Sequence, residues 1–423
     1  MKSNFMYTIL WLLLPCCLFA DECIKIGMNY PQTGPYMFIG IDQERGAQIA
    51  LEEINASGGI LGRQVEILRR NSKSKPGLSA LNVFELIDQN KVKMIFGGAS
   101  SSVAIKVSDI CQNKRTLFMA TITSANATTG IHCHRHTFRA CYNAWMGGKA
   151  LGVYLKKNFP TDHNRYFFIV ADYSWGRSAE ESIRKFSGAE NKEVHKVSYT
   201  KFPGVTHQSF INKMQLAQIL KPDVLVLCHF GAEMTEAVSV ATKLGLKKNM
   251  HIVVPILELS MCEGAGPEVM ESIVGTSDFN WKVPFAHGYE NGKKFVKRFL
   301  ERYGRYPCWG ASKAYTILWE YKFAVERAES FDTSAVIRAL EGHKFTLLKD
   351  EEQWRAFDHQ NIQSIFLVKC KEKEAVIKDR YKLDFFEIID YFPGELSARK
   401  YEEWMAERLK ANKPIYLEKL PGE

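Results

Sequence analysis

The sequence predicts an α/β protein of two doubly wound parallel-sheet lobes, joined by a hinge, with a cleft between them. Two features carry that expectation. Short runs with almost no polar break, residues 93–97, 166–171 and 224–227 among them, recur along the chain; such strands have both faces covered, as in a parallel sheet. Segments of helical period separate them, and a strand–helix–strand unit of this length needs a right-handed crossover. The 423 residues exceed one ordinary domain and suit two.

The elements follow in order. Residues 24–27 read as a short buried strand. Pro31-Gln-Thr-Gly-Pro35 turns the chain into a helix over 40–54, with Ala47, Ala50, Leu51 and Ile54 on one face and Asp42, Glu44, Arg45, Glu52 and Glu53 kept polar. Gly58-Gly-Ile-Leu-Gly62 turns again into a strand at 65–68. Strand 93–97, helix 100–113 and strand 116–120 come next, and after a loop the alternation resumes. It runs through helix 142–157, strand 166–171, helix 178–186, strand 194–199, helix 209–220, strand 224–227, helix 233–244 and strand 251–254. A strand and long loop near 273–279 give way to helices 288–303, 312–327 and 333–341. Residues 345–368 read as strand-rich, and 397–411 as a charged helix carrying Trp404 and Met405.

Lys2, an apolar run over 5–14 and Ala20 before Asp21 mark residues 1–20 as a signal peptide. The run is too short to span a bilayer comfortably. Lipid anchoring at Cys16 or Cys17 is the alternative use of that segment. The expected location is the periplasm. A net charge of +9, with Lys and Arg scattered rather than interleaved with aromatics, argues against nucleic acid as a partner. Beyond the leader lie Cys23, Cys111, Cys133, Cys141, Cys228, Cys262, Cys308 and Cys370, too sparse for a disulfide scaffold. Cys111–Cys133 and Cys133–Cys141 are the first pairs to test; Cys228, in an apolar strand, reads as a buried thiol.

Taken in order, Ile24-Lys-Ile-Gly27, Thr33-Gly-Pro35, Gly46-Ala-Gln-Ile-Ala50, Gly58-Gly-Ile-Leu-Gly62, Phe96-Gly-Gly98, Phe138-Arg139, Asp172-Tyr-Ser-Trp-Gly176, Pro222-Asp223 and Gly304-Arg-Tyr-Pro307 resemble the type I periplasmic solute-binding proteins. The resemblance is to the leucine/isoleucine/valine-binding branch, which feeds ABC transporters of amino acids and amides, and it covers roughly residues 22–370. It implies three crossovers, with lobe I at 22–141 and 282–345, lobe II at 142–281 and 346–395, and a C-terminal helical tail at 396–423. It also implies the function: a binding protein that closes on an amino acid, amide or related carboxylate and delivers it to an ABC permease in the inner membrane. A ligand-sensing receptor subunit of the same fold is the alternative. Neither is an enzyme, and neither needs a cofactor.

Several residues follow from this resemblance. Gly97-Gly-Ala-Ser-Ser-Ser102 ends a strand and opens a helix, where free N–H groups and the helix dipole suit a carboxylate. The family's serine falls on Ser101, or on Ser102 or Ser100 if the register slips; as a plain helix cap, Ser100 would do no more than start the helix. The family's threonine falls on Thr123 or Ser124. Trp175 takes a position where relatives carry a cleft-lining tyrosine, and Phe230 another, with His229 available to supply polarity. Glu258 is the nearest carboxylate to the family's ammonium-binding glutamate, a loop charge being the other reading. Tyr36 and Ile39 belong to the loop that covers the ligand.

Other chemistry finds less support. In an extended segment His132, His134 and His136 would share one face, a geometry suited to Zn²⁺ or Cu²⁺; no fourth ligand is evident, and a polar surface loop is the reading adopted, with no metal. Asp358-His359-Gln360 has the look of a dyad but reads as structural. No Gly-x-Ser-x-Gly, phosphate-loop, His-Glu-x-x-His or Gly-x-Gly-x-x-Gly motif is present.

Overall fold

The computed structural model describes residues 23–423, so the segment 1–20, with Cys16 and Cys17, lies outside the described residues. Two large sheets organise the chain. The first contains β1 (Ile24–Tyr30), β2 (Val65–Asn71), β3 (Met94–Gly97), β4 (Leu117–Ala120) and β5 (Thr137–Arg139), in the spatial order β2-β1-β3-β4-β5 and parallel throughout. The second contains β6 (Tyr166–Ala171), β7 (Lys196–Thr200), β8 (Val224–Cys228), β9 (His251–Val253) and β10 (Val274–Ser277). These five are parallel as well. A small antiparallel sheet of β11 (Lys344–Phe345), β12 (Glu352–Trp354) and β13 (Asn361–Ile362) precedes β14 (Ile365–Cys370) and β15 (Phe386–Phe392), which complete the second sheet in the order β15-β14-β10-β9-β8-β6-β7.

The second sheet is therefore mixed rather than wholly parallel, and the reason is topological. β10 ends at Ser277, where the chain leaves the sheet, and β14 begins at Ile365, where it returns. Ser277 lies opposite Phe366, so the returning strand runs antiparallel to its neighbour, and β15 folds back antiparallel on β14. Between those points the chain visits the first sheet: helices Glu290–Tyr303 and Trp309–Ala328 pack against helix Met37–Ala56. Helix Ala144–Asn158, which follows β5, packs on helix Ser174–Ser187 of the second sheet. The chain thus passes between the two sheets three times, after β5, after β10 and before β14.

Strands without polar breaks are buried as their composition dictates; every residue of β6 and β8 is buried, and Cys228 among them is a buried thiol. The helix Pro76–Phe84, with its π-helical continuation Glu85–Gln89, has no counterpart in the sequence reading. Helix Leu259–Ala265 and strand β15 were also not foreseen.

The tail does more than end the chain. Helix Tyr401–Lys410 lies on the loop 126–136, with Trp404 Nε1 donating to the Thr129 carbonyl (3.0 Å) and Arg408 Nη1 to that of Gly130 (2.6 Å). Cys133, Trp404 and Leu417 form a small core of their own. The histidine-rich loop is thus a docking surface for the tail, not the solvated loop expected. Two of its three histidines take separate partners: His136 Nδ1 pairs with Gln112 Oε1 (2.9 Å), whereas His134 lies between Glu418 (2.5 Å) and Asp109 (3.0 Å). Cys111, Cys133 and Cys141 are separate buried thiols, so neither expected cysteine pair is joined.

Two predictions arise here. A Cβ at Gly46 would stand 2.0 Å from the Ala311 carbonyl oxygen, in the contact between helices Met37–Ala56 and Trp309–Ala328. Gly46→Ala should cost about 1–3 kcal/mol by overpacking, read by denaturant unfolding. For His134, burial alone would lower the pKa, but the hydrogen bonds and charges of Glu418 and Asp109 outweigh it and raise it. Its contribution to tail docking is therefore complete below the unfolded value of about 6.5 and lost as pH rises through the higher folded value. Protection factors of the tail amides, their exchange rates relative to the intrinsic base-catalysed rate, should fall across that window, and His134→Ala should abolish that fall.

Candidate functional site

The site begins at the end of β3. Gly97 and Gly98 adopt φ of +116° and +98°, and a Cβ at Gly97 would lie 2.7 Å from the Asn29 carbonyl oxygen, so glycine is required. The turn they make starts helix Ser101–Lys114, whose first N–H groups have no partner within the helix and whose positive dipole end favours an anion. Ser100 is its N-cap residue, yet its side chain makes no capping bond. Ser101 is buried, and its Oγ accepts the Ala125 N–H at 3.1 Å, which leaves its own proton to donate. Ser102 is half-buried one position on.

Thr123 lies beside this turn, its methyl 3.6 Å from where a Gly98 Cβ would be. Its Oγ1 is fully buried and has no hydrogen-bond partner. Ser124 turns elsewhere: its hydroxyl meets Cys141 Sγ (3.5 Å), and its carbonyl accepts the Ala144 N–H (2.7 Å). Arg139 fixes this whole loop. Buried completely, it donates from Nη1 to the Thr123 (3.2 Å) and Ala125 carbonyls, from Nη2 to Thr129 Oγ1, and from Nε to Gln360 Oε1 at 2.7 Å. Burial brings its pKa down to about 10, which leaves it charged at neutral pH. Sequence reading marked Arg139 only as part of a family motif.

A cluster of aromatic rings lies between the lobes. Phe230, just past β8, has ring centroids 5.4 Å from Tyr36, 5.8 Å from Trp175 and 6.3 Å from Trp309. Trp309 stacks on Tyr142 at 5.4 Å, and Tyr173 on Phe202 at 3.9 Å. Tyr36 Oη meets Tyr173 Oη at 3.0 Å, so the two lobes touch across the cleft. Trp309, Tyr142, Tyr173 and Phe202 were not singled out from sequence; Tyr173 stood inside the Asp172–Gly176 motif, and Trp309 two residues beyond Pro307. Ile39 lies in the first turn of helix Met37–Ala56, after Tyr36, rather than in a loop. Together with Phe38, Gly231 and Met261 these two line a cavity of about 330 Å³ where the lobes meet.

Two polar residues do not behave as expected. His229 points away from Phe230: its Nε2 meets Thr200 Oγ1 (2.9 Å) and its ring abuts Phe210. Full burial depresses its pKa to about 3, so it carries no charge. Glu258 is not a loop charge but is buried at the start of helix Leu259–Ala265. Its Oε2 accepts from Ser260 N (2.8 Å) and Oγ (2.5 Å), and its Oε1 from the Trp309 N–H at 3.1 Å. Burial, followed by the nearby charge of Asp42, raises its pKa. It bridges the lobes through Oε1, which accepts that one bond and keeps a second lone pair.

Among the described residues no helix is long and apolar enough to cross a membrane, and no group of three or more His, Cys, Asp or Glu side chains is placed to hold a metal. Asp358, His359 and Gln360 diverge to Arg355 (2.6 Å), Glu341 (2.8 Å) and Arg139 (2.7 Å).

Two α/β sheets between which the chain passes three times define a two-lobed fold. The chain belongs to the periplasmic binding protein family, whose model matches residues 23–375, and its type I fold is that of the Leu/Ile/Val-binding branch. It is 30% identical over 178 residues to Leu/Ile/Val-binding protein homolog 2 of Brucella abortus (strain 2308), a match covering 42% of this chain and 46% of that protein. The chain thus spans somewhat less than half the length of that relative. Against homolog 7 of the same strain it is 26% identical over 339 residues, 76% of this chain and 81% of that protein. Among solved structures, a periplasmic binding protein of Burkholderia mallei superposes with a TM-score of 0.80 at 20% identity, over 90% of this chain and 98% of that one. A solute-binding protein of an ABC transporter from Rhodopseudomonas palustris BisB5, in complex with 3,4-dihydroxybenzoic acid, gives 0.76 at 16% identity, over 88% and 98%.

The lobe-bridging role of Glu258 can be tested directly. Glu258→Ala orphans the Trp309 N–H and uncaps a helix, which should weaken closure by about 1–3 kcal/mol. The ligand-free variant should open, seen as a larger radius of gyration in small-angle scattering.

Proposed function

We propose that this protein is an extracytoplasmic solute-binding protein that captures a small carboxylate reversibly, by closing its lobes, and hands it to an ABC permease. The observation that carries the reading is the unpartnered, fully buried hydroxyl of Thr123 beside Ser101 at a helix N-terminus. A buried donor without a partner is costly, and a carboxylate would satisfy it along with the Ser101 hydroxyl and the free N–H groups. Ser124, engaged with Cys141, is the less suited of the two threonine-position candidates.

The body of the ligand is flat or apolar in this reading. Trp175, Phe230, Tyr36 and Trp309 would pack against it, and the Glu258 carboxylate is already engaged by Ser260 and Trp309, with one acceptor site of Oε1 left. An aromatic carboxylate therefore suits the site better than an α-amino acid; the relative from R. palustris, whose structure holds 3,4-dihydroxybenzoic acid, supports it. The names of the Leu/Ile/Val-binding relatives support the second reading, a branched-chain amino acid. Transport is preferred to the receptor role because both sets of relatives are binding proteins, the R. palustris one of an ABC transporter.

Titration calorimetry with benzoate, dihydroxybenzoate, phenylalanine and leucine decides between the two ligand classes. Thr123→Val should leave the unfolding free energy of the free protein unchanged or slightly higher, since its hydroxyl has no partner to lose. The same variant should weaken carboxylate binding by about 1.5–3 kcal/mol, as expected for a lost hydrogen bond to a charged group. Unchanged affinity would overturn the assignment of the carboxylate to this turn.

A further inference from the structure

We propose that Cys262 and Cys370 close to a disulfide once the protein is exported, stapling the helix that carries Glu258 to the strand returning from the hinge. Their sulfurs lie 3.8 Å apart, and among the described residues no other two cysteine sulfurs are in contact. Both side chains are fully enclosed, so the pair faces itself rather than solvent.

The backbones on either side are already fixed. The Cys370 N–H donates to the Ile273 carbonyl (2.8 Å) and its own carbonyl accepts the Ser272 N–H (3.0 Å). The Cys262 N–H donates to the Glu258 carbonyl (3.1 Å), and its carbonyl accepts the Gly266 N–H (2.9 Å). A disulfide needs its sulfurs at about 2.05 Å. The gap to close is therefore less than two ångströms. The two residues are 108 apart in sequence, so the bond would close a long loop and restrict the unfolded chain strongly.

The inference rests on the extracytoplasmic setting of the family, where oxidants maintain disulfides. An external disulfide of a thiol–disulfide oxidoreductase accepts the electrons. One cysteine thiolate attacks a sulfur of that disulfide, forming a mixed disulfide and expelling the first thiol. The second thiolate then attacks the protein sulfur of the mixed disulfide and expels the second thiol. Two cysteine protons end on the two thiols of the reduced oxidant. Because both sulfurs are enclosed in the folded state, closure belongs to folding after export, before the core excludes the oxidant.

What the bond would hold matters for the cleft. Helix Leu259–Ala265 begins at Glu258, whose carboxylate reaches the Trp309 N–H of the other lobe. β14 leads directly from the third crossing. A staple between them makes the bridging carboxylate and the hinge strand one rigid unit.

The test uses the full chain exported into an oxidising compartment, denatured in iodoacetamide without reductant, and mapped by mass spectrometry after proteolysis. The expected result is a linked peptide pair bearing Cys262 and Cys370, with the remaining described cysteines alkylated. Finding both residues alkylated overturns the proposal. In a second measurement, dithiothreitol should lower the melting temperature of the wild type by several degrees and leave that of Cys262→Ser/Cys370→Ser unmoved; equal sensitivity in both proteins also overturns it. Ligand binding by the exported protein, measured separately, distinguishes failure of the disulfide from failure of the binding reading.

Discussion

The arrangement turns on one buried cation and the acceptors around it. Arg139 ends the last strand of the first sheet, at the point where the chain crosses to the second lobe. Its guanidinium ties the loop bearing Thr123 and Ala125 to Gln360 of the third crossing. Gln360 Nε2 in turn donates to the Cys141 carbonyl (2.8 Å), and Gln363 Nε2 to that of Ala140 (2.7 Å). Lys313, also buried, stands 3.4 Å from Asp278 of the second crossing and 3.5 Å from Glu352 of the third. All three crossings are thereby knitted into one polar knot. Charges removed from water are tolerable only when paired and hydrogen-bonded, and that requirement makes the hinge a specific structure instead of three loose linkers.

From this knot the two walls of the cleft acquire different characters. On the first lobe, the loop that Arg139 fixes places Thr123 beside the glycine turn from which the helix beginning at Ser101 starts. On the second, Trp175 and Phe230 emerge just past β6 and β8, the strand ends where open α/β sheets bind ligands. Offset and edge-to-face ring pairs contribute about 0.5–1.5 kcal/mol each beyond their burial, so the aromatic wall gains from closing. Tyr36–Tyr173 and Glu258–Trp309 are the polar contacts that close it. In the proposed reading the two walls supply a polar end and an apolar body for the solute; the cavity between the lobes is lined by Tyr36, Ile39, Gly231 and Met261 instead.

Strands such as β6 and β8 were legible because an apolar run with no polar break has only one stable use in an α/β chain. The helix start at Ser101 was legible because a Gly-rich turn after a strand advertises one, whereas the ligand roles of Ser101 and of Thr123 or Ser124 came from the family resemblance. Helix Pro76–Phe84 was not, since its mixed surface shows no clear apolar stripe until Val83 and Leu86 meet the underside of the first sheet. Trp309 and Tyr142 were invisible for another reason. They lie 167 positions apart, and nothing local to either reports that the hinge stacks one on the other.

The sequence by itself determined the periodic elements, the two-lobed class and the glycine turn that opens the helix at Ser101, because those follow from contacts within a few residues. The tertiary structure alone decided that β14 runs against β10, that Glu258 spends its oxygens on Ser260 and Trp309, that the tail covers the histidine loop, and that Cys262 meets Cys370. Each of those depends on where a returning chain re-enters, and re-entry is set by how the crossings satisfy their buried charges together, a property no single stretch of residues carries.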